Sequence, residues 1–447
     1  QTAGHHRVGV NGVKHTIVQT PRGAKDILPK EAYFKSRLEQ RAGELIEAWG
    51  YSRVYTPTFE FYDALAQADG HVLADILYRF VDREGATLAL RPEMTIPIAR
   101  MVATRYHQDD MPLRLYYIGN VFRYAEPQAG RYREFTQVGI ELVGAASPRA
   151  DAEVVSVAAA VLEGLGLSSF RLDLGHIGFF RGLVESVSDD RAASALKEAL
   201  LAQDYVRYEA VVKESDLPDA RKQALLALPT LRGDGSVLEE ARRLAQGSQS
   251  ALRALDNLAA IYQLVQAAGL GERVGIDLGI TKDLDYYSGF LIEGYTPELG
   301  FTLASGGRYD ALIGRYGQDF PATGFAFSIE RAMLALDRQG WREPPPPPPS
   351  IFLIADEGDQ ARLFEFAAFL RRRGLRVEVD VSGMVPGEAL AYAVKKQIDK
   401  VIRVAGERDG RPQIEEILPD GARRQGSIDD VLGSCPPACG AESGLGN

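Results

Sequence analysis

Cysteine, an excess of basic residues and long apolar runs are the features that this sequence lacks. Its 447 residues include only two cysteines, Cys435 and Cys439, both near the end. This excludes a disulfide framework and makes a reducing, cytoplasmic compartment the expected context. Basic residues number 51 and acidic residues 61, and the net charge of −10 disfavours a protein that mainly grips nucleic-acid phosphates. No apolar run approaches the ~20 residues that cross a bilayer, so we expect no membrane span.

Signatures of common cofactors are also missing. The sequence has neither a phosphate-binding Gly-Lys-Ser/Thr loop nor a Gly-x-Gly-x-x-Gly run between a strand and a helix. No histidine and cysteine cluster has zinc-ligand spacing, and the pair Cys435 and Cys439 is interpreted as structurally idle. We therefore predict that the chain binds no metal and no cofactor.

Length and composition indicate a multidomain globular protein. A chain of 447 residues is long enough for about three domains of typical size. Hydrophobic residues make up 45% and charged residues 25%, which are usual values for soluble globular proteins. Six consecutive prolines favour a stiff polyproline II segment and mark the clearest boundary. The expected divisions are a disordered extension without a signal-peptide pattern at 1–19, a first domain at 20–341, a Pro-rich linker at 342–350, a second domain at 351–433 and a flexible tail at 434–447.

Hydrophobic periodicity predicts an α+β fold. An amphipathic helix is predicted from Lys30 to Trp49, ended by Gly50. Alternating, turn-bounded segments predict a mostly antiparallel sheet with flanking helices, with strands at 53–55, 77–81, 87–90, 113–123, 135–143, 274–280 and 289–294. Ala/Leu-rich sequence predicts a helical insertion at about 187–268. Beyond the prolines, strands and helices alternate as in a small parallel α/β domain.

One predicted strand carries polar side chains on a single face. Alternation puts Gln137, Gly139 and Glu141 on one face, and the other face is predicted to be core and consists of Val138, Ile140 and Leu142. Gly139 removes a side chain and leaves room for a ligand against the sheet. A carboxylate and an amide suit a small cationic, hydrogen-bonding ligand such as an ammonium group or an imidazole. A solvated sheet face is the alternative.

Arginine side chains are the second feature with chemical meaning. Arg123, Arg131 and Arg133 share one loop, and their guanidinium groups can bind phosphate or carboxylate through paired hydrogen bonds. Arg331 lies just inside a predicted helix, where free backbone N–H groups add to its charge. These residues predict an anion or nucleotide site, with an exposed salt-bridged loop as the alternative.

Six motifs follow one another in a fixed order. They are Arg22 to Pro29, Leu90 to Thr95, Phe122-Arg123 with Gln137 and Glu141, Leu284 to Tyr287, Gly306 to Asp310, and Ile329 to Arg331. In this order they resemble the motifs of histidyl-tRNA synthetase, a class II aminoacyl-tRNA synthetase, from about residue 20 to 433. The resemblance implies a class II antiparallel sheet with helices and a helical insertion, followed by an anticodon-binding-like α/β domain at 351–433.

The same resemblance assigns ligand-binding roles to individual residues. By motif, bound histidine would be surrounded by Glu93, Thr95, Gln137, Glu141, Tyr286 and Tyr287. Arg123 and Arg331 would face the phosphates of ATP, and Arg131 is a further candidate for the anion site. A dimer formed through about Lys30 to Glu60 is also implied.

Departures from the synthetase motifs fall at the activation chemistry. Lys282 replaces the arginine that helps to activate the carboxylate of histidine, and lysine cannot supply its planar, two-pronged contact. Asp283 replaces a glycine, and Ala125 replaces a carboxylate of the nucleotide site. Met94 replaces another glycine, so we expect a bulkier residue to line the pocket.

These departures resemble a second family, the synthetase-like regulatory subunits of ATP phosphoribosyltransferase. Arg-Pro-Glu-Met-Thr at 91–95 and Asp-Leu-Asp-Tyr-Tyr at 283–287 are typical of it. The resemblance implies a subunit with no catalytic residues that associates with the short-form catalytic subunit in the first step of histidine biosynthesis. It also implies histidine as an effector, a dimer within a hetero-oligomer, and no tRNA partner. The alternative is an active histidyl-tRNA synthetase.

Overall fold

The computed structural model describes residues 19–68, 75–124, 132–185, 190–280, 286–341, 347–408, 411–418 and 420–426. The chain divides into two compact units, residues 1–343 and residues 344–447. The division falls immediately before the six prolines. Within the described part of the chain, no helix is long and apolar enough to span a membrane.

The first unit alternates helices and strands along the chain. Its elements are α1 (Pro29–Glu47), β1 (Ser52–Arg53), β2 (Phe59–Phe61), α2 (Tyr62–Ala66), β3 (Arg79–Val81), β4 (Thr87–Leu90), α3 (Thr95–Arg105), β5 (Leu113–Phe122), β6 (Glu134–Val143), α4 (Pro148–Gly164), β7 (Arg171–His176), α5 (Ile177–Val184), α6 (Asp190–Leu201), α7 (Tyr205–Glu214), α8 (Asp219–Ala227), β8 (Arg232–Gly233), α9 (Val237–Leu244), α10 (Gln249–Ala267), β9 (Val274–Asp277), β10 (Phe290–Tyr295), β11 (Ala304–Arg308), β12 (Ala322–Ser328) and α11 (Ile329–Arg338).

A large sheet is the centre of the first unit. Its strand order is β1-β5-β6-β12-β11-β10-β7-β9-β8 across the described residues. Six of the eight neighbouring pairs are antiparallel, and only β1 with β5 and β7 with β9 run parallel. The predicted α+β class with a mostly antiparallel sheet is thus confirmed. The two-residue strand β8, inside the segment predicted to be helical, was not predicted.

Strand alternation divides the core between the two faces of this sheet. Val138, Ile140 and Leu142 of β6 are fully buried and pack with residues of α1, α4 and α10, as the sequence pattern predicts. Leu115 and Tyr117 of β5 point to the opposite face and pack with α3. Consequently the polar face of β6 lies on the side of α3, away from the helices α1 and α4.

A smaller sheet stands beside α3. It has the order β2-β4-β3, with both neighbouring pairs antiparallel. Phe59, Phe61 and Phe80 are paired with Leu90 or Leu88 of β4, so they share one face. Between 42% and 61% of each phenylalanine side chain is exposed. An exposed apolar sheet face of this kind is a candidate interaction surface.

The second unit contains β13 (Ile351–Ala355), α12 (Gln360–Arg372), β14 (Val377–Val379), α13 (Pro386–Lys396), β15 (Lys400–Arg408), β16 (Arg411–Ile417) and β17 (Arg423–Gly426). Strand β13 pairs parallel with β14 and β15, as expected from the alternation of strands and helices. Strands β16 and β17 add antiparallel neighbours that the sequence pattern did not predict. The reason is that Arg423–Gly426 contains no apolar residue to signal a strand.

Candidate functional site

A polar cavity of about 110 Å³ lies against the α3 side of the large sheet. Strands β6, β11 and β12 form its base, because they are neighbours in the sheet. Seven residues singled out from the sequence line it together: Glu93, Thr95, Arg123, Gln137, Glu141, Tyr286 and Tyr287. The remaining lining residues are Ser305, Gly306, Gly307, Tyr309, Gly324, Phe325 and Ala326.

Glu141 is the most deeply buried acid of the cavity, with 1% of the residue exposed. Thr95 Oγ1 donates a hydrogen bond of 2.8 Å to one of its carboxylate oxygens, and the hydroxyl of Tyr309 donates to the other. Burial raises the pKa of Glu141 to about 8, and these hydroxyl donors oppose the rise. Tyr309 belongs to the Gly306 to Asp310 motif, but the sequence alone did not identify it as a site residue.

Missing side chains on the neighbouring strand make the position of Glu141 possible. Gly324 lies opposite Glu141 in the pairing of β12 with β6. A Cβ atom at Gly324 would lie 2.1 Å from Glu141 Oε2, so any other residue would push the carboxylate away. Gly306 of β11 meets the same limit, because its Cβ would lie 2.1 Å from the carbonyl oxygen of Gly324. The glycines therefore define the floor of the cavity.

Glu93 is a second buried acid, held at the start of α3. Its Oε1 accepts a hydrogen bond of 3.2 Å from the backbone N–H of Ile96, which is one of the unpaired donors at a helix start. Its Oε2 accepts a 2.9 Å bond from the hydroxyl of Tyr286. These two bonds fix the carboxylate at the edge of the cavity.

Met94 corrects one expectation from the sequence. Its side chain is 2% exposed and packs in the core with α3 and β5, so it does not line the cavity. Its backbone N–H instead donates a 3.0 Å hydrogen bond to Gln137 Oε1. Because that oxygen is occupied, the amide NH₂ of Gln137 is oriented by the same contact.

Gly139 corrects a second expectation. The space beside it is filled by Tyr117, its cross-strand partner on β5. A Cβ atom at Gly139 would lie 2.4 Å from the Tyr117 hydroxyl and 2.5 Å from the carbonyl oxygen of Phe325. The glycine therefore makes room for a tyrosine of the protein and not directly for a ligand.

Arg123 supplies positive charge, and it is the one cation among the described residues that line the cavity. Its Nε donates a 2.7 Å hydrogen bond to the carbonyl oxygen of Pro92, and its guanidinium group lies 5.5 Å from the ring centre of Phe135. These contacts orient the guanidinium group through its Nε side. The described lining thus contributes two carboxylates and one guanidinium group.

Arg331, another basic residue predicted for the anion site, is not among the residues that line this cavity. Arg331 donates to the carbonyl oxygen of Thr302 and lies 5.0 Å from the ring centre of Phe301. Its role at phosphates stays a prediction, as does that of Arg131, which lies outside the described residues. The departures Ala125, Lys282 and Asp283 also lie outside them.

The chemistry of the cavity suits a small zwitterion that carries additional hydrogen-bond donors. Two carboxylates, an amide and several hydroxyl groups can surround cationic and N–H groups, and Arg123 can pair with a carboxylate. Among the described residues, no group of three or more histidine, cysteine or acidic side chains could hold a metal ion.

The pKa of Glu141 leads to a prediction about stability. Since the folded protein holds this proton up to about pH 8 and the carboxyl usually releases it near 4.5, the native state binds the proton more tightly than the unfolded chain. The stabilisation is complete below pH 4.5, is lost as the pH rises towards 8, and then levels off. When urea unfolding is measured from pH 5 to pH 9, the free energy of unfolding is expected to fall more steeply for the wild type than for Glu141→Gln. Parallel declines would contradict the assignment.

Comparison with known proteins decides the family. The histidyl-tRNA synthetase family matches residues 23–332 of the chain. The ATP phosphoribosyltransferase regulatory subunit of Acetivibrio thermocellus is 37% identical over 388 residues, which are 87% of this chain and 92% of the relative. That of Moorella thermoacetica is 41% identical over 383 residues, 86% and 97% of the two chains. The chain belongs to the ATP phosphoribosyltransferase regulatory subunit family.

Solved structures agree with membership of this family. A Bacillus halodurans protein described as an ATP phosphoribosyltransferase regulatory subunit/histidyl-tRNA synthetase has a TM-score of 0.76 and 33% identity, covering 88% of this chain and 99% of its own. Histidyl-tRNA synthetase from Nostoc has a TM-score of 0.73 at 20% identity, covering 93% and 98%, which shows the fold alone. The predicted class II synthetase-like fold is confirmed.

Proposed function

We propose that this chain is the regulatory subunit required by a short-form ATP phosphoribosyltransferase catalytic subunit in the first step of histidine biosynthesis. The observation that carries the proposal is the family: relatives 37–41% identical over at least 85% of the chain bear that name. A cytoplasmic location accompanies this role. The chain itself supplies no catalytic residue and needs no cofactor.

Histidine is the effector in this proposal, and the cavity geometry supports it. The ammonium and imidazole N–H groups of histidine match the carboxylates of Glu93 and Glu141, and its carboxylate matches Arg123. Gln137, Thr95 and the paired Tyr286 and Tyr287 enclose the remaining polar surface. A ligand with one hydrogen-bond donor fewer than histidine would leave one buried acceptor of the cavity without a partner. Binding of such a ligand is therefore disfavoured.

The absence of catalysis is the part of the proposal that rests on sequence differences. Lysine at 282 and alanine at 125 remove groups that the synthetase motifs use for activation, and aspartate at 283 adds negative charge there. The alternative function, an active histidyl-tRNA synthetase, is supported by the retained Arg123. The proposal includes no tRNA partner, because acidic residues slightly outnumber basic ones over 351–433.

Reconstitution with a short-form catalytic subunit tests the function. Transferase activity of the catalytic subunit alone should be low and should rise when the wild-type chain is added. Both proteins should also elute together in size-exclusion chromatography. Separate elution with no change in transferase rate would refute the proposed function.

The proposal includes a homodimer inside the larger assembly, as expected for the segment from Lys30 to Glu60. The exposed phenylalanine face of β2 and β3 supports it, since the rings of Phe59 and Phe80 lie edge to face at 6.1 Å and the two residues are 51% and 42% exposed. If the interface has two-fold symmetry, each phenylalanine contact occurs twice, so one substitution removes two contacts.

Replacing Phe59 and Phe80 with serine together tests this surface. The loss of burial at both copies is expected to raise the Kd of the dimer at least about a hundredfold. Light scattering after size-exclusion chromatography should therefore report the monomer mass of 48.8 kDa. Phe364→Ser, in the second unit and 54% exposed, is the matched control and should leave the dimer intact. An unchanged dimer in the double variant would exclude this face.

A further inference from the structure

The hydroxyl group of Tyr117 is a buried polar group that does not line the cavity. The residue is fully buried, and its hydroxyl makes no hydrogen bond with any described residue. A buried hydroxyl without a partner is a costly feature, because it has lost its bonds to water and gained none in return. Phenylalanine would fill the same space without that cost.

The surroundings of this hydroxyl lie directly behind the cavity. Tyr117 shares the sheet face of Gln137 and Glu141 through its pairing with Gly139. Burial raises the pKa of Tyr117 far above its usual range, and the nearby carboxylates of Glu141 and Glu93 raise it further. The hydroxyl therefore stays protonated and can donate a hydrogen bond to a nearby carboxylate.

Gly139 leaves room for the hydroxyl of Tyr117 between the strands. Any side chain at 139 would collide with the Tyr117 oxygen, at 2.4 Å from the new Cβ. The same Cβ atom would lie 2.5 Å from the carbonyl oxygen of Phe325, so glycine leaves room both for the neighbouring strand and for the Tyr117 hydroxyl. Packing accounts for the glycine, but it does not account for a buried hydroxyl that has no hydrogen-bond partner among the described residues.

Glu141 is the acceptor that fits. Each of its oxygens accepts one hydrogen bond, from Thr95 and from Tyr309, and a carboxylate oxygen can accept two. The Tyr117 hydroxyl is already near enough to favour the ionised form of Glu141. The other titratable groups that face this acid are Glu93, Tyr286, Tyr287 and Tyr309.

We infer that Tyr117 is a positioning residue of the histidine pocket, which donates a hydrogen bond to Glu141 when that carboxylate is ionised. The inference rests on the proposed histidine site. In this arrangement Thr95, Tyr309 and Tyr117 surround the ionised carboxylate with three hydroxyl donors, and a fourth donor comes from the bound ligand. Charge-assisted bonds of this type are stronger than neutral ones, so the third donor favours the ionised state that a cationic ligand requires.

Tyr117→Phe tests the inference, with Tyr208→Phe as the matched control. Tyr208 is also buried, but its hydroxyl donates a 3.0 Å bond to the carbonyl oxygen of Leu225, which does not titrate. Urea unfolding of both variants without histidine is measured at pH 6, where Glu141 is protonated, and at pH 9, where it is ionised. We expect Tyr117→Phe to lose more stability at pH 9 than at pH 6. The loss for Tyr208→Phe should be equal at both.

Histidine affinity by calorimetry at pH 8.5 gives the second readout. We expect the Kd of Tyr117→Phe to rise about tenfold and that of Tyr208→Phe to stay unchanged. If the wild type does not bind histidine, the proposed effector is refuted. The unfolding data would still test whether Tyr117 donates a hydrogen bond to ionised Glu141. Equal losses of stability at both pH values, or wild-type affinity in Tyr117→Phe, would overturn the positioning role.

Discussion

Replacing Glu141 with alanine is expected to weaken histidine binding by about 1.5–3 kcal/mol, roughly 10- to 150-fold in Kd. The physical reason is that a bound cationic donor loses its buried charged acceptor. The hydroxyl groups of Thr95 and Tyr309 also lose Glu141 as their hydrogen-bond acceptor, so their orientation is no longer fixed. Isothermal calorimetry measures the change directly.

A matched control separates this effect from a general loss of acidic charge. Glu209 forms an exposed ion pair with Lys213 on α7, in which more than half of each side chain is accessible. Glu209→Ala is expected to leave histidine affinity unchanged, since exposed pairs contribute little. Wild-type affinity in Glu141→Ala would show that histidine does not bind at this carboxylate.

The largest expected loss of stability comes from Arg308→Met, at about 3–5 kcal/mol. Arg308 donates to both carboxylate oxygens of Asp151, with Nη2 to Oδ1 at 2.9 Å and Nε to Oδ2 at 3.1 Å. Asp151 lies in the first turn of α4 and is completely buried, so the substitution leaves an unpaired charge in the core. Urea unfolding at pH 7 measures the loss.

The sign of the pH dependence identifies the cause. Burial already raises the pKa of Asp151, and Arg308 opposes that rise, so removing the arginine should raise it further. A raised folded-state pKa gives stability that is present at low pH and lost as the pH rises. The defect of Arg308→Met should consequently shrink when unfolding is measured at pH 5.

Two further variants complete this experiment. Asp151→Asn added to Arg308→Met should recover part of the stability, because no charge is then buried. Arg207→Met breaks an exposed pair with Glu198 and should change stability by no more than about 0.5 kcal/mol. A defect in Arg308→Met that neither low pH nor Asp151→Asn relieves would mean that lost packing, not the buried charge, is responsible.

The fold was largely predictable because strand alternation and helix periodicity are strong in the first unit. The face of Val138, Ile140 and Leu142 had to be core, since three branched apolar residues alternate with polar ones. Strand alternation alone predicted that Gln137 and Glu141 share a face, but the other five pocket residues could be expected to join them only through the resemblance of their motifs. Their separation in the chain, from Glu93 to Tyr287, gives no spatial information by itself.

The errors have a common physical origin, which is that side-chain packing between distant strands leaves no local signal. Gly139 suggested open space, but its space belongs to Tyr117 on the neighbouring strand. Met94 suggested a narrower pocket, but its side chain turns into the core. Strand β17 was missed because its residues carry no apolar pattern, and two of its polar side chains contact the carboxylate of Glu415 on β16.

The most direct test of the central claim measures two activities in the same samples. A transferase assay with the short-form catalytic subunit is run with and without histidine, beside histidine- and ATP-dependent pyrophosphate exchange, for the wild type and Glu141→Ala. We predict no exchange, restored transferase activity, and inhibition by histidine that Glu141→Ala relieves. Exchange activity in the wild type without any effect on the transferase would contradict the account and identify a working synthetase.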